Sequence, residues 1–444
     1  MRITIVGAGA TGTHLAKYMS GEQMDIIIVD KNAEKLASLD SEYNLMTIEG
    51  DGTAFATLRR ADVKKCDLFI AVTDVAERNI VVCGMARSMG ARRTVARVDR
   101  HDYMEPHNLE VLHQMGVDRA IFAEDLLAQG ILASLNHSWT RNWYEFNRGT
   151  MIMAGLRLEK EAPLAGKYLR DLTAEERFFH IVGIRRQFET LIPKGDSQLM
   201  ADDILYATVN ASRQNDLALM AGKHPFEIRN VVIAGGGLMT ELTVQNAPKQ
   251  LHFTVIENNI EVAQRLAQNC PKCDVIVGET SEHDVLEEAG VSRADAFVAL
   301  TESSEGNILS CLTARDMGVK KTIVYVDKMH FFNMAESFHF GAIINRQMLM
   351  ANAMFQIMID SGSLTSKMLA LPNAEMIRLE VKAGTRITKA PIRELKIPAE
   401  ITFAGMVRNG QSELVTGQTQ LQEGDHLLAV CLQGYLQKAK KLFN

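Results

Sequence analysis

The 444-residue sequence predicts an α/β protein built of two tandem Rossmann-like, doubly wound parallel-sheet domains, each followed by a small α+β module. Three observations predict it. The chain contains itself twice, at an offset of 228 residues measured from Gly7 to Gly235. Short Val- and Ile-rich runs, apolar on both faces, alternate with amphipathic stretches, as strands buried in a parallel sheet alternate with its covering helices. A glycine-rich turn joins the first such run to the first helical stretch in each half.

The duplication is the strongest of the three. Ile5-Val-Gly-Ala-Gly9 returns as Ile233-Ala-Gly-Gly-Gly237, and Asp67-Leu-Phe-Ile-Ala-Val-Thr-Asp74 returns as Asp295-Ala-Phe-Val-Ala-Leu-Thr-Glu302. Glu77, Asn79 and Asp99 land on Glu305, Asn307 and Asp327, while Asp203-Ile-Leu-Tyr-Ala matches Asp425-His-Leu-Leu-Ala at a slightly shorter offset. The expected domains are 1–138, 139–226, 227–358 and 359–444.

In the first domain, strands are expected at Ile3–Val6, Asp25–Asp30, Asn44–Ile48, Leu68–Val72 and Thr94–Val98, with a helix over Ala76–Met89 that Gly90 ends. The second domain repeats them at Val231–Ala234, Phe253–Glu257, Val275–Val277, Phe297–Leu300 and Thr322–Val326. The small modules show strands at Met151–Leu158, His180–Arg186 and Ile204–Val209, then at Ala374–Val381, Ile401–Val407 and Asp425–Val430. Their charged residues read as solvated faces, and Ala221–Phe226 reads as a linker because Gly and Pro interrupt it. The apolar helices Glu124–Asn136 and Arg346–Met358, the latter carrying Met348, Met350, Met354 and Met358, read as subunit interfaces in preference to core.

Composition narrows the function. Apolar residues make up 47% and charged residues 23%, the usual mix of a globular protein. A net charge of −6 argues against nucleic acid as a partner. No apolar run approaches the roughly 18 residues of a membrane span, and the start lacks a signal-peptide pattern, so a cytoplasmic chain without direct membrane insertion is expected. Six cysteines are too few for a disulfide scaffold, and Cys270-Pro-Lys-Cys273 has no second pair to complete a zinc site.

The candidate site lies at the strand ends. Gly7-Ala8-Gly9-Ala10-Thr11-Gly12 stands between strand and helix, where glycines allow a tight turn, close approach of a pyrophosphate, and helix–strand packing. Asp30 ends the second strand, where a carboxylate receives ribose hydroxyls and its charge favours NAD over NADP. Asp51, Thr73, Asp74 and Arg97 follow later strands on the same rim; Thr73 offers a hydroxyl and an amide, and Arg97 a cation for phosphate. Taken singly, Asp51 and Asp74 are helix caps or surface ion pairs. In the second half Gly235, Gly237, Glu257, Glu279 and Thr301 occupy the corresponding places, but Thr240 replaces the third glycine and Tyr325 replaces Arg97. That copy binds the same nucleotide less tightly, binds another, or is a structural copy. His101, His107 and His113 share no helix face, and no catalytic motif is present, which counts against the competing reading, an NAD-dependent oxidoreductase.

The order of glycine fingerprint, Asp30, Gly50-Asp51, Ala71-Val-Thr-Asp74, Asn79 and Arg97-Val-Asp99 closely resembles the domains that regulate potassium conductance. A tandem pair with small C-terminal modules is similar to the peripheral subunits of bacterial Trk potassium-uptake systems. The resemblance covers the whole chain. It implies a nucleotide-sensing, non-enzymatic homo-oligomer, a dimer or tetramer, that binds the inner face of a membrane potassium translocator and gates it. Its ligands would be NAD or NADH, with ATP or ADP as further candidates.

Overall fold

The structure, a computed structural model, describes residues 1–20, 24–43, 45–187, 189–358, 366–368 and 374–443. The first domain has strands β1 (Arg2–Val6), β2 (Asp25–Asp30), β3 (Met46–Glu49), β4 (Leu68–Ala71), β5 (Thr94–Val98) and β6 (Arg119–Phe122). Its helices are α1 (Ala10–Ser20), α2 (Ala33–Glu42), α3 (Phe55–Arg60), α4 (Ala76–Ser88), α5 (Pro106–Gln114) and α6 (Ala123–Asn136). The sheet runs β3-β2-β1-β4-β5-β6 and its pairings are parallel. Ile3, Ile5, Ile28, Ile70 and Val95 are wholly buried, the both-faces burial that their uninterrupted apolar runs require. Strand order reverses between β1 and β4, and the crevice outside their carboxyl ends is where such sheets hold ligands.

The first small module comprises β7 (Asn142–Phe146), β8 (Met151–Arg157), β9 (Phe179–Arg186), β10 (Glu189–Leu191), β11 (Ile204–Asn210) and α7 (Gln214–Met220). Its sheet, β10-β9-β11-β8-β7, is antiparallel. The second domain repeats the parallel order with β12 (Asn230–Ala234), β13 (His252–Glu257), β14 (Cys273–Val277), β15 (Ala296–Ala299), β16 (Lys321–Tyr325) and β17 (Ala342–Ile344). Its helical segments are α8 (Leu238–Gln245), α9 (Ile260–Asn269), α10 (His283–Glu288), α11 (Ser304–Asp316), α12 (Met329–Ser337) and α13 (Arg346–Met358). The second module holds β18 (Ser366–Met368), β19 (Ala374–Glu380), β20 (Ile401–Arg408), β21 (Gln411–Glu413), β22 (His426–Leu432) and α14 (Leu436–Lys441), in an antiparallel sheet ordered β18-β19-β22-β20-β21.

The compact units do not follow the duplication. Met1–Leu127 and α13 form one; Ala128–Asn345 and the described residues from Ser366 onward form the other. The expected 227–358 domain therefore loses its last helix, because α13 packs on α1 of the first domain. Met350 and Met354 of α13 are buried to 1% and 0% exposure, so this part of the methionine stripe is core of the chain itself and not a free subunit interface.

Inside the second unit, the two modules pack sheet against sheet. Met151, Met153, Val182 and Tyr206 from one and Met376, Ala404, Leu428 and Val430 from the other form a shared core. Thr208 Oγ1 donates to the Ala404 carbonyl at 2.7 Å within it. Two further expectations are corrected here. Ala221–Phe226 is tied down: Ala221 is 0% exposed, the Lys223 ammonium pairs with Glu159, and the Phe226 amide donates to Ser138 Oγ at 3.1 Å. Nor are the modules' charges all solvated. Arg186 forks onto Asp203 and Arg408 onto Asp425, with both carboxylates buried at the head of equivalent strands.

Candidate functional site

The glycine turn is built to specification in the first domain. Gly7 adopts φ +109°, a conformation that side chains rarely take. A Cβ at Gly12 would lie 1.9 Å from the Gly7 carbonyl oxygen, so the third glycine is demanded by packing between α1 and the turn. Gly9 differs: its φ is ordinary and a Cβ there would meet nothing within 4 Å. The fold itself does not require a glycine at Gly9, whereas a pyrophosphate approaching the backbone would.

Asp30 is fixed across the turn. Its Oδ2 accepts from the Ala8 amide at 2.6 Å and its Oδ1 from the Asn32 amide at 2.8 Å. Each oxygen retains a lone pair for a hydroxyl donor. The second domain copies the device: Glu257 Oε2 accepts from Gly236 N at 2.5 Å and Oε1 from Asn259 N at 2.8 Å. The longer side chain thus reaches the same two amide positions. Gly235 keeps φ +101°, and a Cβ at Gly237 would again meet nothing within 4 Å. Thr240, fully buried where Gly12 is excluded from carrying a side chain, donates its hydroxyl to the Gly235 carbonyl.

The remaining rim residues divide. Asp51 accepts from the Thr53 amide at 2.9 Å and hydroxyl at 2.7 Å, and pairs with Lys31 at 2.9 Å. The Thr53 amide first, and Lys31 with it, hold the Asp51 carboxyl down at about 2. Asp74 is 89% exposed and pairs loosely with Arg78 at 3.5 Å. Neither aspartate caps a helix; the caps of α3 and α4 are Ala54 and Val75. Arg97 sits half-buried near the end of β5 and pairs with no carboxylate among the described residues. Its counterpart Tyr325 instead donates its hydroxyl to Asp327 at 3.0 Å. Glu279 accepts from Asn258 Nδ2 at 3.0 Å.

Thr73 departs from expectation, for Asn79 takes both of its offered donors. Asn79 Oδ1 accepts from the Thr73 amide at 2.9 Å and from its hydroxyl at 2.6 Å, while Asn79 Nδ2 donates to the Arg97 carbonyl at 2.9 Å. Asn79 is 1% exposed, so this is a buried clamp joining the ends of β4 and β5. Asn307 makes the same bonds to Thr301 and to the Tyr325 carbonyl. Sequence reasoning left both asparagines out of the site. Their coincidence at the 228-residue offset was the signal that could have placed them there.

Comparison with known proteins agrees with this geometry. The TrkA-N domain family matches residues 3–123 and 231–345, and the TrkA-C domain family matches 153–221 and 376–444. The Trk system potassium uptake protein TrkA of Azorhizobium caulinodans is 26% identical, over 100% of this chain and 98% of its own length. That of Halomonas elongata is 26% identical, over 96% and 95%. Among solved structures, the GsuK RCK domain aligns over 100% of this chain and 94% of its own with TM-score 0.60 at 17% identity. The GsuK channel bound to NAD aligns over 100% and 78%, with TM-score 0.58 at 16% identity.

Proposed function

The chain belongs to the family of proteins built from TrkA-N and TrkA-C domains, in tandem form, and from that premise we propose that it is a nucleotide-sensing regulatory subunit, not an enzyme. It docks peripherally on a membrane potassium translocator, on the inner face, as a homo-oligomer, and gates potassium uptake according to the NAD or NADH it holds. No helix among the described residues is long and apolar enough to cross a membrane, so in this reading docking runs through protein contacts.

The observation that carries the nucleotide assignment is the pairing of Gly9 with Asp30. Gly9 leaves backbone open where nothing in the chain needs it open, and Asp30 is held by two amides with lone pairs to spare. The α1 N-terminus would face the phosphates, and Arg97 would supply a nearby cation. The adenosine ribose would lie against Asp30, whose negative charge opposes a 2′-phosphate and so selects NAD over NADP. A ligand that is held and not consumed can act only through its differential affinity for two conformations, and about tenfold preference contributes about 1.4 kcal/mol per site. Isothermal titration of NAD, NADH and NADP into the purified chain tests the assignment. The reading expects NAD and NADH to bind at least tenfold more tightly than NADP; equal affinity for NADP would remove Asp30 from the site.

A further inference from the structure

Where the first small module meets the second parallel sheet, inside the second unit, the chain forms a solvent-open pocket of about 250 Å³. Its walls carry Arg141, Arg157, Lys223, Arg315, Lys320 and Lys321, with His224 and His339 beside them and one carboxylate, Glu159, facing them. Nearby carboxylates do not balance the excess. Glu336 is taken by Arg141 at 3.2 Å and by Arg185 at 2.6 Å, and Asp202 by Arg157 at 2.9 Å. Glu159 already answers both Lys223 and Arg157.

One buried cation is left without a negative partner, and a second keeps a buried donor unpaired. Lys321, at the head of β16, is 1% exposed. Its ammonium donates to the carbonyl oxygens of Thr140 at 2.6 Å and of His137 and Gly341 at 3.3 Å, and to no carboxylate among the described residues. Carbonyl dipoles orient a cation but do not neutralise it. Burial first, and then Arg141 and Lys223, push the Lys321 ammonium down to about 7. Arg141, with its side chain 8% exposed, has a buried Nη1 that meets no hydrogen-bond partner. A buried ammonium without a counter-charge, beside a buried guanidinium donor without a partner, is costly, and an anion that meets both relieves it.

We propose that this cavity is a second ligand site, distinct from the glycine turns, that binds a small, multiply charged anion of the phosphate type. The size favours a compact occupant, since about 250 Å³ lies below the usual range for larger organic ligands. Arginine forks and lysine ammonium groups together suit tetrahedral oxyanions. An anion seated here would touch both the module and the sheet, and so could bias how the two pack.

The chain carries two tryptophans, and they report on the site. Trp139 lines the cavity and Trp143 stands 6.3 Å from it, centroid to centroid. The test is titration of the full chain with inorganic pyrophosphate at fixed ionic strength, reading indole fluorescence. Saturable binding is expected, persisting in saturating NAD. Lys320→Gln and Arg315→Gln, both at exposed positions, should each weaken it by about threefold to tenfold; Lys320→Gln should leave the melting temperature unchanged, while Arg315→Gln also loses a bond to the Phe338 carbonyl at 2.6 Å. An unsaturable response, affinity unaltered in both variants, or loss of the response on adding NAD would overturn the proposal. Citrate binding as tightly as pyrophosphate would overturn the phosphate assignment.

Discussion

Single residues decide the proposed nucleotide site, and Asp30 is the most exposed to test. Asp30→Ala removes the acceptor proposed for the ribose hydroxyls and also frees the Ala8 and Asn32 amides. We expect NAD affinity to fall by about 1–3 kcal/mol, measured by isothermal titration, with Glu257→Ala having the smaller effect because Tyr325 supplies no cation to its half. Equal losses from the two would show that the copies are equivalent. Asn79→Ala should behave differently: it leaves the Thr73 amide and the Arg97 carbonyl without their partner and should cost about 1–3 kcal/mol of stability, read as a lowered urea midpoint. The glycines and Asp30 were legible in the sequence because turn sterics and strand-end position are local properties. Asn79 was visible as a repeated letter, but its role was not. Its bonds exist only once β4 and β5 are brought side by side, and then they consume the donors of Thr73. Lys321 escaped for a related reason: a lysine at a strand head reads as exposed until Gly341 and the Thr140 segment close over it.

At the scale of elements, periodicity finds the central strands and one edge of each parallel sheet, β3 and β14, and misses the opposite edge. β6 and β17 are short, and Arg119 at the head of β6 is exposed, so the apolar run that marks a buried strand is absent. β7, Asn-Trp-Tyr-Glu-Phe, interleaves polar and aromatic residues, and its residues are only half-buried or exposed. The closing helix α13 was recognised as a methionine-rich helix, but its address was not, since nothing local states that a helix of the second half covers α1 of the first. Met354→Ala should therefore destabilise the first domain, by about 2–5 kcal/mol if the cavity stays open. Hydrogen exchange locates the effect: protection should fall in α1, and a fall confined to α8 would contradict the packing. The Arg408–Asp425 pair gives a pH signature. Burial works against ionisation of Asp425, but the hydrogen bonds from Arg408 and the Gln422 amide outweigh it, so its pKa lies below the ordinary carboxylate value. A depressed folded value means that the charged pair stabilises fully above about pH 4 and loses that contribution as pH falls toward the folded pKa. Asp425→Asn should thus be clearly less stable than the wild-type chain at pH 7 in urea unfolding, with the gap narrowing at pH 3. A constant gap would show that the charge is immaterial.

At the scale of the molecule, duplication in sequence and division in space are different things. Tandem copying predicts two like halves separable near Ala221–Phe226, yet that segment is pinned by Lys223–Glu159 and by the Phe226 amide, and both small modules share one core with each other. Limited proteolysis should accordingly spare Ala221–Phe226 at first. An early cut there, yielding two fragments of similar size, would contradict the packing within the second unit. The shared core also bears on regulation, because the modules and the second parallel sheet lie in one compact unit, in which a change at the module core or at the cationic cavity can be transmitted by direct contact.

In the function proposed above, nucleotide held at the first glycine turn governs potassium flux without being consumed. Potassium uptake in cells lacking this chain, complemented either by the wild-type protein or by Asp30→Ala, tests it most directly, with NADH absorbance followed on the purified chain in parallel. The wild-type chain should restore uptake, Asp30→Ala should restore it poorly despite equal abundance, and NADH should not be oxidised. Full restoration by Asp30→Ala, or uptake indifferent to the chain together with substrate-dependent NADH oxidation, would contradict that function.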